Sequence, residues 1–320
     1  MGLGDQTAVE ATARFGIGSI TKTFVAALVL LLASDRALRL DDAVDAWLPG
    51  LLADRRTTRI HHLLNHTSGL PEYMAHPSFF ASFGSDPRRV WDPSELLELA
   101  DEQPRMAGVE LGLRWSYSNS NYIALGLVVE AAGGAALSDL LQSRIAERLG
   151  LGATLLPRSE LDMASVVRGY MPGDNPFLPS SETLVDVTGL DPSWAWAAGA
   201  MVSSGPDLAA FYGALLRGEL LAPNMLRSML ETVACDWTEC DAYGLGIERF
   251  QTLLGVPSPC GAAWGHAGFS GWTTVALTSG DGRGQSVVMI STLAVRESVT
   301  KRVAALAWDL LCRDPGRSPG

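Results

Sequence analysis

The sequence predicts an α/β fold of the α+β type: an antiparallel sheet flanked by helices, with a mainly helical domain inserted into it. Three observations point there. Helix-like segments fill the middle of the chain. Three short β-like runs lie close together near its end, two of them separated by SGDGRG (279–284), a good hairpin connection. One long apolar run, FVAALVLLLA (24–33), stands near the start. A membrane-spanning helix needs roughly 20 apolar residues, so this run reads as a buried core helix. The sheet domain is assigned to residues 1–34 and 195–320, and the inserted helical domain to residues 35–194.

The elements follow in order. Residues 20–34 form the apolar helix, ending near Ser34-Asp35, and 36–50 are a connection closed by Pro49-Gly50. Residues 57–64 resemble a short helix that runs into the turn-rich NHTSGLPEY (65–73). Helices are predicted over 93–103, 119–132 and 137–149, the last ending at Gly150. Residues 152–193 are rich in Pro, Gly, Ser and Asp and show weak periodicity. Two helices follow at 205–217, capped near Ser204 or Gly205, and at 223–233. The β-like runs are 262–268, 272–278 and 285–293, and a final helix covers about 298–312.

Composition narrows the function. The chain has 320 residues, 47% hydrophobic and 18% charged, with a net charge of −11. It is therefore globular, and its acidity argues against nucleic acid as a partner. The start carries no basic segment of a secretory signal, so the chain as written reads as cytoplasmic. Four cysteines, Cys235, Cys240, Cys260 and Cys312, permit two disulfides in three pairings, or free thiols inside a cell. Neither a CxxC pair nor HExxH occurs, so no metal or other cofactor is expected, and His61, His62 and His66 are assigned to a structural loop. The absence of GxSxG argues against an α/β-hydrolase elbow.

Three short motifs carry candidate chemistry. The first is Ser19-Ile-Thr-Lys22. A serine hydroxyl needs a proton acceptor, and a residue three positions on lies on the same helix face. A buried lysine can serve as that base, whereas arginine stays protonated. Only two lysines occur among 24 basic residues, which makes Lys22 conspicuous. The second, Lys301, also lies in an SxxK, with Ser298. There the serine reads as a helix N-cap and the lysine as solvated. Ser19 instead follows FGIG and leads straight into the apolar helix. The second motif is Tyr117-Ser-Asn119, a phenol for proton exchange and an amide for substrate. The third is His266-Ala-Gly268, on a predicted strand whose small residues let substrate lie along its edge. The Phe269 amide, paired with that of Ser19, would hold an oxyanion.

In this order the motifs resemble those of the serine β-lactamase and D-alanyl-D-alanine carboxypeptidase family, whose members carry SxxK, SDN and KTG sets. The segments FGIGSITKTF (15–24), LLNHTSGL (63–70), YSNSNYIALGLVVE (117–130), SWAWAAGAMVSS (193–204), YGLGIE (243–248) and GHAGFSGW (265–272) look like its actinomycete carboxypeptidase branch and the class C lactamase and esterase relatives. The resemblance covers roughly residues 14–312. It implies the β-lactamase/transpeptidase-like fold and an acyl-enzyme on Ser19, with Lys22, Tyr117 and His266 catalytic. It implies that Asn119, Trp194, Gly268 and Phe269 bind a small-molecule or peptide acyl substrate. It also matches Cys260 and Cys312 to a pair that is bridged in secreted relatives.

Two departures qualify this. Eighteen residues precede Ser19, where relatives place a helix and two strands. Either the true start lies upstream, in which case the protein is secreted, or the sheet is two strands short with an exposed edge. And where carboxypeptidase relatives carry an arginine for the substrate's terminal carboxylate, Glu248 stands here. Peptides with a free C-terminus are then disfavoured. That turns attention to amides, esters and β-lactams, to a transacylase passing the acyl group to an amine in antibiotic biosynthesis, and to a non-enzymatic penicillin-binding sensor or remnant. The oligomeric state is not legible in the sequence.

Overall fold

The computed structural model describes residues 8–52, 57–86, 88–104, 111–173, 184–235, 240–292 and 297–313. At its centre is a six-stranded antiparallel sheet. Its strands are β1 (Val233–Ala234), β2 (Ala242–Tyr243), β3 (Glu248–Phe250), β4 (Ala263–Phe269), β5 (Thr273–Thr278) and β6 (Gln285–Ile290), in the order β6-β5-β4-β3-β2-β1. The three long strands are those read from the sequence. The three short ones are additions, and β1 begins where a helix was expected to reach 233, because that helix stops at Leu230.

The longer helices are α1 (Thr21–Ser34), α2 (Pro77–Ser85), α3 (Pro93–Asp101), α4 (Ser120–Gly133), α5 (Leu137–Leu149), α6 (Gly205–Leu216), α7 (Pro223–Leu230) and α8 (Glu297–Cys312). Helix α2 falls in a stretch the sequence reading left without an element. Pro77 stands at its first turn and the His76 ring accepts the Ser78 N–H. Helix α5 carries one wide turn at Gln142–Ala146. Ser204 caps α6 by accepting the Asp207 N–H. Helix α8 starts at Glu297, so Ser298 lies inside its first turn rather than at the cap, and Lys301 pairs with Glu297 in solvent.

Alternation on the sheet decides which helix goes where. On β5, Ala276 faces the main core with Phe211 and Tyr212 of α6, whereas Val275 and Leu277 face Val303, Ala307 and Trp308 of α8. The sheet is thus a layer between two sets of helices. Helix α1 is buried from Thr21 to Leu32 and packs on α4 and on the Trp196–Gly199 turn. Its apolar residues all have protein neighbours, as a core helix requires. Among the described residues no single helix is long and apolar enough to cross a membrane. Two disulfides join Cys235 to Cys240 and Cys260 to Cys312.

Candidate active site

Ser19 sits in a single 3-10 turn, Gly18–Ile20, that feeds α1. Gly18 takes a left-handed backbone, φ +50°, and a Cβ there would lie 2.6 Å from the Phe269 amide nitrogen. A Cβ on Gly268 would lie 1.9 Å from the Ile17 carbonyl and 3.0 Å from the Ser19 nitrogen. The two glycines therefore press the turn against the end of β4, and they bring the Ser19 and Phe269 amides to one seam. Register adds a second property. Pairing of β3 with β4 ends at Glu248 opposite Gly265, so β4 continues through His266–Phe269 beyond its strand neighbour on that side.

The polar groups converge on the serine. Lys22 Nζ lies 2.9 Å from Ser19 Oγ, 2.8 Å from Asn119 Oδ1 and 2.7 Å from the Ala198 carbonyl. The Tyr117 hydroxyl donates to Ser19 Oγ at 2.7 Å. Asn119 cannot be flipped: its backbone N–H and its Nδ2 both donate to Glu72 Oε2, at 2.8 and 2.9 Å, which turns Oδ1 toward Lys22. The other Glu72 oxygen accepts the Met74 N–H. Sequence reasoning missed Glu72. A glutamate in a turn reads as solvated, and its partner Asn119 is 47 positions away.

Burial sets the electrostatics. Lys22 is fully enclosed, and loss of water lowers its pKa to about 7 against the opposing pull of Glu72 and Glu248. Desolvation raises Tyr117 well above its ordinary value, so the phenol is neutral. Desolvation, helped by the Lys22 charge, lowers His266 to about 3. His266 Nδ1 accordingly donates to its neighbour Ala267 O at 2.7 Å, while Nε2 accepts from the Tyr243 hydroxyl at 3.1 Å. Glu248 Oε1 stands 3.3 Å from the same Nδ1. His66, buried beneath the Tyr117 ring, accepts hydrogen bonds at Nδ1 from Ser118 N and Asn121 Nδ2 and is held neutral by desolvation.

Ser19, Tyr117, Glu248, His266 and Phe269 line one cavity of about 140 Å³. Trp194 lies elsewhere: with Trp272 and Ser270 it lines a separate cavity, and its carbonyl accepts the Tyr73 hydroxyl. Gly268 supports the seam rather than lining the Ser19 cavity. No group of three or more metal-ligating side chains occurs among the described residues.

The match to known proteins extends over most of the chain. A model of the Beta-lactamase family covers residues 2–310. The chain belongs to that family. A D-aminopeptidase and a D-stereospecific amidohydrolase are among the proteins it resembles. A D-stereospecific amidohydrolase from Streptomyces sp. is 32% identical, with TM-score 0.79 over 92% of this chain and 86% of its own. The D-amino acid amidase of Ochrobactrum anthropi SV3, solved with L-phenylalanine amide, is 25% identical, with TM-score 0.79 over 96% of this chain and 85% of its own. Penicillin-binding protein 4* of Bacillus subtilis is 34% identical over 140 residues, 44% of this chain and 30% of that protein. The curated relatives are longer: the matches span 30 to 37% of the first three.

Proposed function

We propose that the protein hydrolyses amides or esters through an acyl-enzyme on Ser19, and that peptides ending in a free carboxylate are poor substrates. The observation that carries the reading is how Lys22 is held. As an ammonium it has three hydrogens for three acceptors. As a neutral amine it has two, which the Ala198 carbonyl and the Asn119 amide oxygen can take. Its lone pair then faces Ser19 Oγ at 2.9 Å, ready to take the hydroxyl proton. With a pKa of about 7, a large share of Lys22 is in that form at neutral pH.

Tyr117 cannot share the base role, because its neutral phenol points a proton at Ser19 Oγ. Its part is to pass a proton toward the leaving group once Lys22 has taken one. The Ser19 and Phe269 amides are the donors for the developing oxyanion. The β4 edge beyond Gly265 offers backbone groups to an extended substrate. Neutral His266 keeps β4 and the Tyr243 ring in place. Asn119 orients Lys22 as well as substrate. Glu248 in the cavity disfavours a terminal carboxylate, and names such as D-aminopeptidase, Esterase EstB and D-amino acid amidase among the relatives support amide and ester donors.

The test is covalent. Incubation with a fluorophosphonate is expected to place one label on Ser19, mapped by mass spectrometry, and to block turnover of a p-nitrophenyl ester and of an amino acid amide. Labelling that persists in Ser19→Ala, or turnover that survives full labelling, would overturn the proposal. Lys22→Arg is expected to lose at least about 10²-fold in acylation, since a guanidinium supplies no base.

A further inference from the structure

We propose that His66 positions Tyr117 for proton transfer to the leaving group, gripping the backbone on both sides of it and supporting its ring. This rests on the reading of Tyr117 as the proton donor, but it concerns a residue that does not line the Ser19 cavity.

Tyr117 needs such support. Residues 115–118 form neither helix nor strand, and α4 begins only at Ser120. No regular ladder therefore fixes the backbone that carries the phenol. Its hydroxyl nevertheless has to stay 2.7 Å from Ser19 Oγ. It lies at the far end of a long side chain, where a small rotation of the backbone becomes a large displacement. A misplacement of about 1 Å can cost about 10²-fold in rate.

His66 meets three consecutive residues. Its carbonyl accepts the Ser116 N–H at 2.8 Å. Its Nδ1 accepts the Ser118 N–H at 3.3 Å. Its ring lies against the Tyr117 ring, with centroids 4.4 Å apart and planes inclined by 31°. The imidazole is itself fixed. Asn121 Nδ2 donates to the same Nδ1 at 2.9 Å, and the Ser68 hydroxyl donates to Asn121 Oδ1, which sets the orientation of the amide. With two donors on Nδ1, the ring proton is on Nε2. That atom is buried without a hydrogen-bond partner among the described residues. A buried donor left unpaired costs stability, so the ring is not explained by its own hydrogen bonding. The backbone does not require it either. His66 has φ +58°, a left-handed conformation that glycine takes most readily. What the imidazole supplies here is contact with Tyr117 and an acceptor for the backbone that follows it.

The consequence falls on one step. Collapse of the tetrahedral adduct breaks the bond between the carbonyl carbon and the leaving oxygen or nitrogen. The leaving atom takes the Tyr117 proton, and the Lys22 ammonium, which carries the former Ser19 proton, restores the phenol. A leaving group that is stable as an anion does not need that proton, whereas an alkoxide does. Loss of the grip on Tyr117 should therefore discriminate between leaving groups, which a general loss of structure would not do.

The experiment compares kcat/KM, which reports acylation, for the p-nitrophenyl and ethyl esters of one carboxylic acid. Active sites are counted by fluorophosphonate labelling, so that unfolded protein drops out, and the ratio of the two esters is read within each protein. Two variants each remove one support. His66→Phe keeps a ring against Tyr117 but has no acceptor. His66→Asn keeps an acceptor and tolerates the left-handed backbone but has no ring. The p-nitrophenyl-to-ethyl ratio is expected to rise about tenfold or more in His66→Phe and about threefold or more in His66→Asn. Tyr117→Phe sets the scale, with an expected rise of about 10²-fold. Adding His66→Phe to Tyr117→Phe is expected to change the ratio by less than about twofold, because His66 acts through Tyr117. An unchanged ratio in either His66 variant, with both esters slowed alike, would overturn the proposal. So would a further rise of about tenfold in the double variant. A ratio that stays put in Tyr117→Phe would overturn the proton-donor reading itself, and this proposal with it.

Discussion

Lys22 has a pKa of about 7 because burial outweighs two nearby carboxylates, and that balance has a measurable signature. The acylating form is the neutral amine, so kcat/KM should rise with slope +1 up to about pH 7 and then level off. His266, lowered to about 3, should add no second limb between pH 5 and 8. A bell-shaped profile centred below pH 6 would contradict this assignment of the base. Glu72 offers a sharper test. It raises the Lys22 pKa and it also clamps Asn119. Glu72→Gln should therefore move the limb below 7 and lower the plateau by about tenfold or more, because one amide oxygen cannot accept from both the Asn119 N–H groups and the Met74 N–H. An unchanged limb with a lower plateau would leave Glu72 a structural part only. That Ser19, Lys22, Tyr117 and Asn119 meet could be expected from the sequence, because their motifs keep side-chain type and local geometry together. The part of Glu72 could not, since its function exists only once the turn at 71–73 packs against the start of α4.

At the level of elements, what was legible depended on length. α1, α6 and the strands β4 to β6 are long enough for a period to show, and their bounds differ from the expected ones by only a few residues. β1, β2 and β3 have two or three residues each, too short for alternation, and their pairing is imposed by β4. Because β3 starts at Glu248, it places that carboxylate beside His266, and among the described residues the end of β4 has no strand neighbour on that side. The seam between β4 and the Ser19 turn is equally specific. Gly18→Ala should cost at least about 1–2 kcal/mol for the left-handed backbone, before any displacement of Phe269 is counted. Its added Cβ would meet backbone rather than a movable side chain. The expected result is a lower melting midpoint together with a fall in acylation, since the same shift separates the two oxyanion donors. A variant that loses stability but acylates at the wild-type rate would show that the seam does not position those amides.

On the scale of the whole molecule, the two faces of the sheet have different tasks. Helix α1 and its neighbours hold Ser19, Lys22 and Asn119 on one face. On the other, α8 closes a smaller apolar cluster with Val275, Leu277 and Val288. The Cys260–Cys312 disulfide ties the end of α8 to the loop before β4, across 52 positions of chain. A closed loop of that length restricts the unfolded chain by about 4 kcal/mol in the loop-entropy description, and native disulfides contribute about 2–4 kcal/mol in practice. Replacing both cysteines with serine should therefore lower the unfolding free energy by about 2–4 kcal/mol. The loss should concentrate on α8, because α1 and α4 are held by the separate main core. Hydrogen exchange should speed up in residues 297–312 well before it does in residues 21–34, while the fluorophosphonate rate at Ser19 stays near that of the wild type. An unfolding midpoint that does not move would mean that α8 is secured by the packing of Trp308 and Val303 alone. Equal acceleration of exchange in both helices would mean that the two faces of the sheet unfold as one unit.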